Sequence, residues 1–144
     1  MEKRIRLISR LLFLPYIFMV LWITLINRTP TYRRSMLSPF WEYRYMIYGD
    51  HFFFFAQIAG NILMLIPFGI LLPAMFRKMQ SAGKVVFLGA ALSIFIELTQ
   101  YYTARGLCEF DDVFNNTLGA AVGFCIWKFL YCKLLYPKKL KEEL

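Results

Sequence analysis

Apolar residues in this chain fall into four long runs, divided by short polar or basic segments. The runs are Leu7–Ile26, Phe52–Phe76, Val85–Tyr102 and Asp111–Tyr136. A hydrocarbon core of about 30 Å takes about 20 apolar residues of helix to cross, and each run comes close to that length. The pattern therefore predicts an all-α, polytopic membrane protein: a four-transmembrane-helix bundle forming one domain over 1–144. Pro15 is expected to bend the first span, and Pro67 and Pro73 to kink the second, with neighbouring helices satisfying the released carbonyls. Ser81 to Lys84 reads as a tight turn, and Pro137 as the stop of the last span. The first run follows Lys3, Arg4, Arg6 and Arg10, as a signal peptide would. It closes on Asn27-Arg28-Thr29-Pro30 with no small-x-small site, so it reads as an uncleaved span.

The longest polar connection, Asn27 to His51, contains Pro30 and Pro39 as breakers and crowds its aromatic residues into segment 35–51. Trp41, Tyr45 and Tyr48 follow an i, i+4, i+7 spacing. That spacing suits a short interfacial helix in the headgroup layer, where Trp and Tyr are favoured. An aromatic belt that merely anchors the next span accounts for the same residues, and so does a lipid-binding role. His51, at the rim, reads as interfacial.

Composition sharpens this picture. Hydrophobic residues make up 59% of the 144 residues, with a mean hydropathy of +0.50. So short a soluble chain could not bury that much apolar surface. The net charge of +8 sits in clusters between the runs and matches no nucleic-acid-binding motif, so nucleic acid is excluded as a partner. Twelve Lys and Arg fall with the two termini and the connection between spans two and three; five (Arg28, Arg33, Arg34, Arg44 and Arg105) fall on the opposite side. The positive-inside rule then predicts a multi-pass cell-membrane protein with both termini cytoplasmic. Cys108, Cys125 and Cys132 have no C-x-x-C spacing and offer neither a disulfide framework nor a zinc site. Cys125 and Cys132 are expected to pack as small hydrophobes. No metal site and no cofactor is expected.

Charged residues inside membrane spans are costly, and their retention marks function or register. Glu97 lies near the far end of the third run, and Asp111, Asp112, Asn115 and Asn116 open the fourth. By helical rise Glu97, Asn116 and Gln57 lie at similar depth, roughly 6 to 8 Å below the outer rim, with Asn61 deeper. Gln57, Asn61, Glu97, Gln100, Asp112 and Asn116 are thus expected to line one cavity. Plainer readings compete. Glu97 pairs with Arg105 or an asparagine to fix register; Asp111 or Asp112 caps the fourth helix; Asn61 satisfies a carbonyl freed by Pro67. Gly119 and Gly123, four apart, permit close helix contact. G-x-S-x-G, H-E-x-x-H and P-loop motifs are all absent. Acid–base chemistry would have to use Glu97 and Asp112 as the catalytic pair, and Arg105 could hold an anion.

In order along the chain come Asn61 to Pro73 (NILMLIPFGILLP), Ser93 with Glu97-Leu98-Thr99-Gln100, Arg105, Asp111-Asp112-Val113, Asn115-Asn116-Thr117, and Gly119 with Gly123. This succession resembles the VanZ-like family of small bacterial membrane proteins. The resemblance is strongest over about residues 56–123; the first span and the aromatic connection fall outside it. It implies a protein of a Gram-positive type of envelope, in a family whose named member is linked to low-level resistance to teicoplanin, a lipid-tailed glycopeptide. The positions it carries over are Asn61, Glu97, Gln100, Arg105, Asp112 and Asn116, with no catalytic mechanism attached.

The expected function is accordingly engagement of an amphiphile at the outer leaflet, with Asn61, Gln100, Arg105 and Asn116 as binding residues. Expected partners are membrane lipids, including a lipid-linked cell-wall precursor or the lipoglycopeptide itself, and a homo-oligomer is compatible with the chain. The alternatives are a membrane-embedded hydrolase or transferase using Glu97 and Asp112, and a non-catalytic structural adaptor.

Overall fold

A computed structural model of the chain describes residues 2–49 and 51–142. The side chains of Glu2, His51 and Phe52 and of the residues from 134 onward lie outside what it describes. Helix α1 (Glu2–Leu21) ends in a π-helical turn, Trp22–Ile26. A short strand β1 (Arg34–Met36) and helix α2 (Trp41–Tyr48) follow. Helix α3 (His51–Met75) returns through the 3-10 turn Arg77–Met79 into α4 (Ala82–Thr103). Strand β2 (Leu107–Glu109) leads directly into α5 (Phe110–Glu142). Four of these helices are long and apolar enough to cross a membrane: Lys3–Ile26, Phe53–Met75, Ala82–Thr103 and Phe110–Lys133. The chain is an all-α polytopic membrane bundle. The helix expected around Trp41 to Tyr48 is present as α2.

The bundle is greasy outside as well as within. Its apolar core joins Tyr16 and Val20 of α1, Leu65, Phe68, Leu72 and Met75 of α3, Val85 and Ile96 of α4, and Ala120, Phe124 and Trp127 of α5. Leu14, Phe18, Leu63, Phe87 and Phe129 point outward, as lipid-facing side chains do. The largest helix interface is between α3 and α5. There Gly119 and Gly123 lie against the backbone of Ile62 and Ile66, and Gly69 against Ala120 and Gly123, leaving no room for a Cβ. Close backbone approach replaces side-chain interdigitation at this crossing.

Some local expectations are corrected. Helix α5 continues past Pro137, because a proline costs a helix one hydrogen bond and a local clash without forbidding it. Cys125 and Cys132 are exposed on α5 instead of packed within the bundle. The connections also hold a two-stranded parallel sheet that no sequence pattern announced. Arg34 pairs with Leu107, Ser35 with Cys108 and Met36 with Glu109. Three residues per strand are too few for an alternating signal. This pairing, with the Thr31 N–H donating to the Ala104 carbonyl at 2.7 Å, ties the first connection to the last.

Candidate functional site

The two ends of the bundle differ in charge. Arg6, Arg10, Arg77 and Lys78 gather near the start of α1 and the α3–α4 turn. Acids gather at the other end. Among the residues whose side chains are described, Glu42, Glu97, Glu109, Asp111 and Asp112 are all buried there.

Each acid is placed by local structure. Helix α2 starts after Phe40, whose φ of 58° is left-handed and whose side chain cannot cap. The unpaired N–H groups of its first turn need another acceptor. Asp111 supplies it from α5: Oδ1 accepts from Phe40 N–H at 2.6 Å and Oδ2 from Glu42 N–H at 3.0 Å. Asp111 therefore caps α2 and not its own helix. This clamp turns Glu42 inward, where it is fully buried. Asn115 Nδ2 donates to Glu42 Oε2 at 3.2 Å, and the Tyr43 hydroxyl donates to Asn115 Oδ1.

Glu97, near the end of α4, accepts from the Glu109 N–H at 2.9 Å and so fixes the junction of β2 with α5. Glu109 in turn faces α3, where Gln57 Nε2 donates to its Oε2 at 3.1 Å. Asn61, one turn further along α3, donates to Asp112 Oδ1 and not to a carbonyl near Pro67.

These groups border a cavity of about 380 Å³ lined by Arg28, Trp41, Phe53, Gln57, Asn61, Leu107, Glu109 and Asp112. Its wall is divided between charged or amide groups and apolar ones. Burial, then the charge of Asp112, pushes the Glu109 carboxyl up to about 8. Burial, followed by the charges of Asp112 and Asp111, raises Glu42 to about 7.

The expected convergence is thus met in part. Gln57, Asn61 and Asp112 line the cavity. Glu97 is buried and is not among the residues lining the cavity; its carboxylate accepts from a backbone N–H, where one of the competing readings had it pair with Arg105 or an asparagine. Gln100, Arg105 and Asn116 are engaged elsewhere. Gln100 Nε2 donates to the Thr24 carbonyl at 3.1 Å. Arg105 Nη1 donates to the carbonyls of Leu25 and Ile26 at 3.2 and 3.4 Å, closing the open end of the π-helical turn. Asn116 Nδ2 donates to Ser93 Oγ at 2.9 Å, between α5 and α4. Adjacent residues on a helix diverge by about 100°. Asn115 and Asn116 therefore reach different neighbours, α2 and α4.

Glu42 and Glu109 belong to this site and were not singled out from the sequence, while Trp41 was read as part of the aromatic helix and Arg28 as one of the five basic residues of that side. One signal was available for the two acids: in a chain with so few acids, Glu42 and Glu109 sit in connections rather than at the chain ends.

Comparison with known proteins agrees with this architecture. The family model described as VanZ/LLP1 matches residues 13–131, which brings in the first span and the aromatic connection that motif resemblance alone left outside. "Protein VanZ" of Enterococcus faecium is 33% identical over 86 residues, covering 60% of this chain and 52% of that protein. The chain thus spans about half the length of this curated relative. No solved structure matches. The match runs through all four spans and through the connections that build the acidic site, and the chain belongs to the VanZ/LLP1 family of multi-pass membrane proteins.

Proposed function

We propose that this envelope protein engages the headgroup of an amphiphile at the outer leaflet and contributes to resistance against lipid-tailed glycopeptides such as teicoplanin. The observation that carries the reading is the mixed wall of the cavity. Arg28, Gln57, Asn61, Glu109 and Asp112 offer charge and hydrogen bonds, while Trp41, Phe53 and Leu107 offer apolar contact. Exposed Tyr45, Tyr48, Phe53 and Phe55 extend that apolar side onto the surface, where an acyl chain would run. One arginine beside several carboxylates and amides suits a headgroup that brings hydroxyl or amine donors as well as an acid group. A phospholipid, a lipid-linked cell-wall precursor and the glycopeptide each meet that description. In this reading both termini are cytoplasmic and the cavity opens outward.

Native mass spectrometry of the purified chain tests it. Wild-type protein is expected to retain a lipid that Arg28→Ala and Asn61→Ala lose. Identical bound lipids in all three proteins would overturn the proposal.

A further inference from the structure

Glu42, Glu109 and Asp112 come from three different elements: α2, the end of β2 and the first turn of α5. One carboxylate oxygen from each lies within 4.8 Å of the other two, and all three residues are buried. Buried carboxylates at such spacing require an opposite charge or a proton between them. Among the described residues their hydrogen-bond partners are neutral: Asn115 for Glu42, Gln57 for Glu109 and Asn61 for Asp112. Each amide holds one oxygen of its acid. The remaining oxygens of the two glutamates, Glu42 Oε1 and Glu109 Oε1, are buried without a hydrogen-bond partner. Glu109, only 4% exposed, also lines the cavity. Three acids each held by one amide, two of them with a buried oxygen left without a partner, match the way outer-shell groups orient metal ligands.

We propose that Glu42, Glu109 and Asp112 bind one divalent cation. An all-oxygen donor set selects a hard ion of the magnesium, calcium or manganese class over zinc or copper. The adjoining cavity supplies room for the waters that complete its coordination. The ion offsets two of the three negative charges, and Arg28 stands at the same cavity to offset the third. It also ties α2 to α5 and to the β2 junction, so that α2, which brings Trp41 to the cavity wall, is held by the metal as well as by Asp111. The assignment stands apart from the amphiphile reading: a protein that binds the cation and no lipid satisfies it.

The test is manganese titration of the full chain in detergent, stripped of metal beforehand and followed by electron paramagnetic resonance. The free-ion signal is expected to be suppressed up to one Mn²⁺ per chain, and calcium or magnesium to restore it. Glu109→Gln and Asp112→Asn should each weaken binding on the order of tenfold or more, while Lys84→Gln leaves it unchanged. Because a ligand variant can fail to fold, wild-type protein gives a second reading: added calcium or magnesium should raise its unfolding temperature. Terbium luminescence sensitised by Trp41, which borders the cavity, and by Tyr43, which reaches Glu42 through Asn115, should appear in wild type and weaken in Trp41→Phe. A wild-type protein that leaves the manganese signal intact and gains no thermal stability overturns the proposal. So does a folded Glu109→Gln variant that binds as wild type does.

Discussion

At the scale of single residues, the site is held by side chains that serve backbone groups on other elements. Asp111 is the clearest case: a fully buried carboxylate whose two oxygens stop the start of α2 from losing its N–H partners. Hydrogen bonds to a charged acceptor contribute about 1.5–3 kcal/mol each. Asp111→Ala is therefore expected to destabilise the protein by about 3 kcal/mol or more, with Asp111→Asn milder because one acceptor survives. Thermal unfolding in a fixed detergent reads the order. Ala104 makes the opposite case. It ends α4 at φ 55°, a conformation that disfavours a side chain. Ala104→Gly should raise stability by about 1 kcal/mol, since glycine adopts that backbone without strain. An unchanged or lowered unfolding temperature would show that the alanine methyl is needed where it packs.

At the scale of elements, two kinds of contact position the acids. The α3–α5 crossing brings Gln57 and Asn61 to Glu109 and Asp112, and it exists because glycines let the backbones meet. A Cβ built on Gly69 would come within 2.8 Å of the Gly123 Cα. Forcing a methyl into such a contact moves backbone, at about 1–3 kcal/mol. Gly119→Ala and Gly123→Ala should each destabilise to that extent. Gly60→Ala is the internal contrast, because nothing lies within 4 Å of a Cβ there. Helix propensity alone should then make it neutral or stabilising by up to about 1 kcal/mol. Chemical or thermal unfolding of the three variants should separate them into these two groups. The second contact is the β1–β2 pairing, which holds the first connection against the last.

At the scale of the whole molecule, the bundle is polarised: basic groups at one end, buried acids and amides at the other. The excess of Lys and Arg on the side of the termini sets the expected orientation. With the native cysteines replaced by serine, Thr29→Cys should react with a membrane-impermeant maleimide on intact cells, and Ser81→Cys should react only after the membrane is opened. Thr29 lies in the first connection and Ser81 at the start of α4, on opposite ends of the bundle. The reverse labelling pattern would place the cavity toward the cytoplasm and end the outer-leaflet reading.

The four spans, the short aromatic helix and the family were legible in the residues alone. Hydrophobic run length answers directly to bilayer thickness, and a helix satisfies its own backbone without help from distant parts of the chain. The meeting of Gln57, Asn61 and Asp112 at one cavity was legible too, because helical rise is constant and places their polar groups toward the same end of the bundle. Rotation and partnership were not. Whether Gln100, Arg105 and Asn116 face a cavity or a carbonyl or hydroxyl of a neighbouring element depends on how α1, α4 and α5 pack together, and periodicity within one helix carries no such information. Glu42 and Glu109 entered the site through a left-handed residue, a three-residue strand pairing and a cap supplied from 71 positions away. Those are long-range contacts, and only the folded chain decides where a connection's carboxylate comes to rest.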